Sequence, residues 1–449
     1  MAYQSSSGLP MERASKIAHM KLIKDDTVIE LLQSFNSDET PKRPSPMNNI
    51  PEIDLTQSSE IKHIVTVDGG LSIIPNPIKR NKAVAFIQVG TCLLHLEDID
   101  RMKADPMMDP RDVSTMLKKV GYRPAVIPLA GIHKPHMTVK ESIRHCINSI
   151  LSAPYSNLYW VLEFIIHRQW MGKDSINEKP NMSCYKCSKN FELPRNKQLF
   201  NCPHCNHEHF LSDYLQIANS GSEDWSREDH ATAMMSVLEH LSILEIPAIC
   251  VLENKTDSLK EFLFVKDGPL LLRAALSRLV EPIRDFLQWL KNQRVNINLV
   301  GIEKTGDLAN FFDEQKHCFS NNEGQYIPGK YFLPDIPFLL EEVSGQTYNA
   351  DTYRNRVNYG AKVGIALSNR HMVVLNVPTG EFKIKPLIKD LIGFEEIVRT
   401  LSRVVSSSYE NAIIPLVLAN QAVSLSFEPS GTILKQFIDN ILSKNSSDN

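Results

Sequence analysis

The segment IVTVDGGLS, residues 64–72, is an apolar and β-branched run that leads into Asp68 and two glycines. A second segment of the same design, FLFVKDGPLLL at residues 262–272, leads into Asp267 and one glycine. Runs of this composition predict strands, and the glycines permit a sharp turn and an open neighbourhood. If the two strands are neighbours in one sheet, both carboxylates reach the same edge. Hard divalent cations prefer carboxylate oxygens, so the pattern fits a shared metal site, but Asp-Gly at a strand end is most often only a turn.

The apolar periodicity of the rest of the chain predicts strands interleaved with helices. Strands are predicted at residues 61–67, 83–89, 92–96, 248–252, 261–265 and 295–302, and in a hairpin of 359–367 with 371–377. Helices are predicted at residues 11–35, over much of 110–170, and at 225–244, 270–290, 386–404, 410–424 and 430–443. Strands in antiparallel and mixed order between helices are typical of an α/β or α+β domain.

Two CxxC pairs, Cys184 with Cys187 and Cys202 with Cys205, are separated by 14 residues. Four thiolates from two tight loops satisfy the tetrahedral preference of Zn²⁺, and such a closed site stabilises structure instead of catalysing. A redox CxxC needs no second pair at this spacing, so residues 180–212 are predicted to be a zinc ribbon inserted in the domain. Three nearby histidines are expected at the surface, because four thiolates already satisfy the metal: His204, His207 and His209.

Bulk composition restricts the class of protein. The chain has 449 residues, 42% of them hydrophobic, and a net charge of -3, so any nucleic-acid contact must come from a local patch. Neither a membrane-spanning stretch nor a secretory signal is predicted. Eight cysteines, four of them in the two pairs, suit a reducing cytoplasm better than a disulfide framework.

Three segments in order, IVTVDGGLS (64–72), FLFVKDGPLLL (262–272) and NLVGIEKTGDL (298–308), resemble the NurA nuclease family. The resemblance covers roughly residues 60 to 430. It implies an RNase H-like mixed sheet with flanking helices, a homodimer, and Mn²⁺- or Mg²⁺-dependent exonuclease and single-strand endonuclease activity on DNA. It also implies a partner, the hexameric HerA-like ATPase, in DNA end processing or anti-phage defence. The zinc ribbon is an insertion absent from the minimal family pattern.

The resemblance also implies roles for particular residues. Asp68 and Asp267 would bind the metal, and Lys304 would sit near the scissile phosphate. The family places a glutamate on the helix before the second aspartate, where three candidates stand: Glu228, Glu239 and Glu245. Glu228 and Glu239 lie about 16 Å apart along a helix, so only one can reach the metals, and Glu239 is the choice.

One position departs from the family pattern. A histidine in a segment of the type P-L-x-L-A-H is replaced here by Asn420, in Pro415-Leu416-Val417-Leu418-Ala419-Asn420. Asparagine forms hydrogen bonds but cannot shuttle a proton near neutral pH, which puts part of the mechanism in question. His371, in the predicted hairpin, is a possible substitute.

The predicted organisation is an N-terminal helical segment and linker (1–50), a nuclease domain (51–430) and a C-terminal helix and tail (431–449). Two other readings stay open. In the first, the same fold is a non-catalytic subunit whose zinc ribbon binds DNA or a partner. In the second, an unrelated zinc-stabilised enzyme uses both Asp-Gly pairs only as turns, and the two aspartates lie well beyond about 10 Å apart.

Overall fold

The computed structural model describes residues 50–75, 83–104, 120–129, 131–154, 156–171, 179–219, 227–346, 354–406 and 413–425, with isolated positions 26, 27, 29, 30, 434 and 436. The chain divides into two units, Met1–Asn48 and Asn49–Asn449, and the described residues belong almost entirely to the second. The predicted helices at 11–35 and 430–443 and the turn at 76–81 therefore lie almost wholly outside the described residues.

Twelve strands occur in the described part of the chain: β1 His63–Pro75, β2 Ala83–His95, β3 Val120–Pro128, β4 Asn181–Ser183, β5 Asn190–Glu192, β6 Leu199–Asn201, β7 Glu208–Phe210, β8 Phe262–Asp267, β9 Asn298–Glu303, β10 Tyr331–Phe332, β11 Gly360–Ala366 and β12 Met372–Pro378. Eight of them form one sheet in the order β10-β11-β12-β9-β8-β1-β2-β3. The central trio β9, β8 and β1 is parallel, and every other pair is antiparallel. The fold is therefore a mixed α/β sheet, while the RNase H-like topology stays a prediction.

The longer helices flank this sheet: α1 Leu96–Ala104, α2 Val139–Leu151, α3 Leu158–Ile166, α4 Arg227–Leu252, α5 Val280–Asn292, α6 Asp307–Glu314, α7 Phe394–Arg403 and α8 Ile414–Val423. Shorter helical turns lie between them: Leu211–Leu215, Ile217–Asn219, Thr256–Glu261, Ala274–Leu279, Lys316–Phe319, Ile336–Phe338, Leu339–Val343, Arg354–Val357 and Ile388–Asp390. Helices α2 to α5 contribute to one apolar core, and α7 and α8 contribute to a second.

The alternation of side chains along the central strands divides them between these two cores. Val65 and Val67 of β1 belong to the first core, and Ile64 belongs to the second. In β8, Phe264 belongs to the first core and Val265 to the second. Both faces of the sheet are therefore covered, as expected for central strands with near-continuous apolar sequence.

Helix α4 is the long central helix of the first core. It is long and apolar enough to cross a membrane by length and composition alone, yet it packs on β1 and β2 and buries Met234, Val237, Leu241 and Leu244. Within the described residues it is the one helix that meets this test, and its packing is that of a buried core helix.

Several predicted elements differ from the structure. Residues 248–252, predicted as a strand, are the last turns of α4, because a short apolar run cannot be assigned to helix or strand by periodicity alone. The predicted strands at 83–89 and 92–96 are one continuous strand, β2. Residues 120–128, inside a stretch predicted as helical, form the edge strand β3. The helix predicted from residue 270 begins at Val280, after a 3₁₀ turn.

Strand β1 is longer than predicted and does not end at Asp68. It continues to Pro75, so the two glycines have a different role from the predicted turn. A Cβ atom on Gly69 would lie 2.5 Å from Oε1 of Glu239, and one on Gly70 would lie 2.1 Å from the carbonyl oxygen of Val423. The glycines therefore allow α4 and α8 to approach the strand closely beside Asp68.

Candidate active site and cysteine cluster

The two aspartates lie at neighbouring positions on adjacent parallel strands. Val67 of β1 is in register with Lys266 of β8, and Asp68 and Asp267 are the next residues on each strand. Adjacent strands are about 4.8 Å apart, so the two backbones are far closer than the roughly 10 Å limit for shared ions. The wide separation of the two aspartates that an unrelated zinc-stabilised enzyme would require is therefore not observed.

Glu239 is the candidate glutamate that joins these aspartates. It is buried, and its Oε2 atom lies 2.8 Å from Nζ of Lys266, while its Oε1 atom faces Gly69. Glu228 is exposed near the start of α4. Glu245 forms an ion pair with Arg123 instead.

Two lysines pair with the carboxylates. Nζ of Lys304 lies 2.8 Å from Oδ2 of Asp267, across from the end of β8. Lys266, which the sequence analysis did not single out, pairs with Glu239 and also donates to the backbone carbonyl of Asp267 at 2.7 Å. One indication of this is present in the sequence, since Lys266 directly precedes Asp267. Strand alternation, however, places its side chain on the face of the sheet opposite to that of Asp267.

The three carboxylates repel one another electrostatically. Burial, with the negative charges of Asp267 and Glu239, raises the pKa of Asp68 to about 7. Burial also raises the pKa of Glu239, against the attraction of Lys266. Repulsion of this kind is what a cation bound between the carboxylates would relieve.

This repulsion predicts that replacing Asp68 stabilises the metal-free protein at alkaline pH. Because the pKa is raised from 3.8 to about 7, the folded state holds this proton more tightly, and stability falls as pH rises through that window. Asp68→Asn removes the cost, so we expect its free energy of unfolding at pH 8 to exceed wild type by about 1–3 kcal/mol. Urea unfolding at pH 5 and pH 8 without divalent ions measures this. If Asp68→Asn and wild type have equal free energies of unfolding at pH 8, the Asp68 carboxylate is not destabilised by burial and repulsion.

A cavity of about 820 Å³ opens beside Asp267 and Lys304. Asn420, on α8, lines the same cavity, so the residue that departs from the family pattern does face this site. The cavity also has a cationic lining from Arg273 and Lys362, neither of which was predicted. His371 is not among the described lining residues: its Nδ1 atom lies 2.7 Å from Oγ of Ser368 within the hairpin turn.

The chemistry of these residues fits a hard divalent cation. Asp68 and Asp267 supply carboxylate oxygens from adjacent strands, Glu239 adds one from α4, and Asp267 lines the open cavity. Their oxygens are more widely spread than those of a filled site. Among the described residues, only the four paired cysteines bring three or more ligand atoms within 4.8 Å of one another. Side-chain rotations would therefore accompany the binding of an ion here.

The four paired cysteines form a cluster at the tips of two small hairpins. Cys184 and Cys187 lie between β4 and β5, and Cys202 and Cys205 lie between β6 and β7. Their sulfurs approach to 3.5 Å for the Cys184–Cys205 pair and 3.8 Å for the Cys187–Cys202 pair. Four thiols in so small a volume could hold a tetrahedral Zn²⁺ ion, as the spacing predicts.

One of the three histidines expected at the surface is fully buried. Nε2 of His209 lies 3.3 Å from Sγ of Cys184, and its Nδ1 atom lies 3.2 Å from Asp213. Asp213 in turn accepts two hydrogen bonds from the buried guanidinium of Arg144 on α2. The expectation for His209 was therefore wrong, because the spacing of the cysteines does not reveal that the domain packs against this side of the ribbon. With one ring nitrogen at a cysteine sulfur and the other at a carboxylate, His209 is placed to orient a metal ligand by hydrogen bonding.

Comparison with known proteins gives little further information. No family model and no curated protein matches the chain. A similar solved structure is the crystal structure of the NurA nuclease from Sulfolobus solfataricus, 12% identical, with 96% of this chain and 98% of that chain covered and a TM-score of 0.37. A likeness at this level does not by itself establish a family or an activity.

Proposed function

We propose that this chain is a divalent-metal-dependent deoxyribonuclease that uses Asp68, Asp267, Glu239 and Lys304. The single observation that carries the proposal is that carboxylates from β1, β8 and α4 lie within electrostatic range of one another, with Asp267 and Lys304 lining a cavity. The sequence resemblance to the NurA family also supports the proposal, because the segments that carry it contain Asp68, Asp267 and Lys304.

A bound Mn²⁺ or Mg²⁺ ion would supply Lewis acidity at the phosphodiester and lower the pKa of the attacking water. Asp68, Asp267 and Glu239 would hold the cation. Lys304, whose side chain is 31% exposed at the cavity, would exchange Asp267 for a phosphate oxygen and neutralise charge that develops there.

Other cavity residues would position the strand. Arg273 is exposed, and in the described part of the chain it has no ion-pair partner, so it is available to a neighbouring phosphate. Asn420 can donate or accept a hydrogen bond but cannot carry a proton, so proton transfer to the leaving oxygen falls to solvent. DNA binding through phosphates would be largely independent of sequence.

The resemblance extends the proposal to a homodimer that works beside a HerA-like hexameric ATPase. The sequence contains no GxxxxGK[ST] phosphate-binding loop, which is consistent with a partner that would supply any ATP-driven motion.

Metal-dependent cleavage is the direct test of this proposal. Purified protein should degrade single-stranded DNA with added Mn²⁺ or Mg²⁺ and should not do so with Ca²⁺ or without added metal, because Ca²⁺ accepts loose geometries that align substrate poorly. Denaturing gels of end-labelled oligonucleotides measure this. Binding of DNA without cleavage under every metal condition would instead support the non-catalytic subunit.

A further inference from the structure

Lys266 places an ammonium group against two of the proposed metal ligands. Its residue exposure is only 5%, and its ammonium group lies 2.8 Å from Oε2 of Glu239 and 2.7 Å from the carbonyl oxygen of Asp267. A buried ammonium is costly unless it is paired and hydrogen-bonded, and this one has both forms of support. It is therefore a fixed part of the site.

Two buried rings lie near the Lys266–Glu239 pair, His240 toward Lys266 and Tyr359 toward Glu239. Their centroids are 5.7 Å apart, and neither the Nε2 atom of His240 nor the hydroxyl of Tyr359 has a hydrogen-bond partner among the described residues. Burial and the Lys266 charge lower the pKa of His240 to about 3, so this histidine is neutral. No second cation competes on this side of Glu239 in the described part of the chain.

Each carboxylate has one oxygen already bonded to a protein donor. Oδ1 of Asp68 accepts from the amide of Gly69 at 2.8 Å, Oε2 of Glu239 pairs with Lys266, and Oδ2 of Asp267 pairs with Lys304. Within the described residues, one oxygen of each carboxylate is left for a ligand, and rotation of the side chains would bring the three within reach of one ion. Three single oxygens fill half the octahedral shell of one Mg²⁺ or Mn²⁺ ion and leave the other half for water and substrate.

The net charge of the cluster also favours one ion. With all three carboxylates ionised, they and the two lysine ammoniums give a net charge of -1. One divalent ion changes the total to +1, and two would change it to +3, in a partly buried region where like charges repel strongly. A second ion would also have to compete with Lys266 for Oε2 of Glu239.

We propose that Lys266 acts as a built-in cation that limits this site to one divalent ion per chain. The inference rests on the proposed function only in that the carboxylates bind a divalent ion. Lys266 is then a positioning residue: it occupies the place of a second ion and leaves the free oxygen of Glu239 against Gly69, the residue after Asp68.

The stoichiometry of Mn²⁺ binding tests this directly, without any activity assay. Isothermal titration of zinc-loaded protein at pH 8, checked by the electron paramagnetic resonance of free Mn²⁺, should give one ion per wild-type chain. Lys266→Met should bind a second ion, or bind the first at least about tenfold more tightly, because a cation is lost from the cluster. Lys389→Met, which removes an exposed lysine that does not line the cavity, should match wild type.

The outcomes separate this inference from the proposed function. Two ions in the wild type would overturn the role of Lys266 and leave the nuclease proposal standing. A Lys266→Met variant with one ion and unchanged affinity would overturn it as well. Absence of any Mn²⁺ binding would overturn the proposed function itself. If Lys266→Met does not fold, the wild-type count decides, together with Lys266→Arg, which keeps the charge and should keep one ion.

Discussion

Replacing Asp267 by asparagine should lower the rate of metal-dependent DNA cleavage by about a thousandfold or more. The carboxylate lies between Lys304, 2.8 Å away, and the cluster partners Asp68 and Glu239. An amide of the same shape keeps the packing but removes the negative charge that binds the cation. Asp68→Asn should have a similar effect. Initial rates on a labelled single-stranded oligonucleotide with saturating Mn²⁺ measure the loss.

Two glutamates on helix α4 provide a matched comparison for the same prediction. Glu239→Gln should reduce cleavage as strongly as the aspartate variants, because this side chain is buried in the cluster beside Lys266. Glu228→Gln changes the same residue type on the same helix at an exposed position, and its rate should equal wild type. Thermal melting of each variant separates loss of activity from loss of fold. Wild-type rates in Asp68→Asn or Asp267→Asn would remove these residues from the mechanism.

The sequence predicted which two aspartates lie on neighbouring strands. Asp68 and Asp267 share a local motif, and parallel register brings their backbones together, although β1 continues past Asp68. Glu239, chosen over Glu228 and Glu245 on a helical separation alone, is buried against Lys266, and its role as a ligand stays a prediction.

The sequence did not predict the features that depend on the three-dimensional surroundings of a residue. Lys266 faces α4 because of strand alternation, and only the position of α4 makes it a partner of Glu239. Gly69 and Gly70 suggested a turn, yet they serve close approach by two helices to a continuing strand. His209 was expected at the surface because nothing local indicates that Arg144 and Asp213 cover it.

Replacing Cys202 by serine should remove bound zinc and lower the melting temperature by about 10 °C or more. The ribbon does not stand apart from the domain: Met182, Phe191 and Phe200 belong to the same apolar core as helices α2 and α3. Loss of the metal would therefore expose core surface and release the Arg144–Asp213 pair, in addition to unfolding two short hairpins. Metal analysis by mass spectrometry and calorimetric melting measure the two effects.

Cys250→Ser is the matched control for the cysteine substitution, because Cys250 lies on α4 outside the cysteine cluster and is only partly buried. It should keep one zinc per chain and melt within a few degrees of wild type, about the effect of an ordinary partly buried substitution. Zinc retained in Cys202→Ser at wild-type stoichiometry would mean that another group replaces the thiolate, and buried His209, 3.3 Å from Sγ of Cys184, is the nearest such group. The double variant Cys202→Ser with His209→Gln tests that substitution: loss of zinc only in the double variant would identify His209 as the replacement ligand.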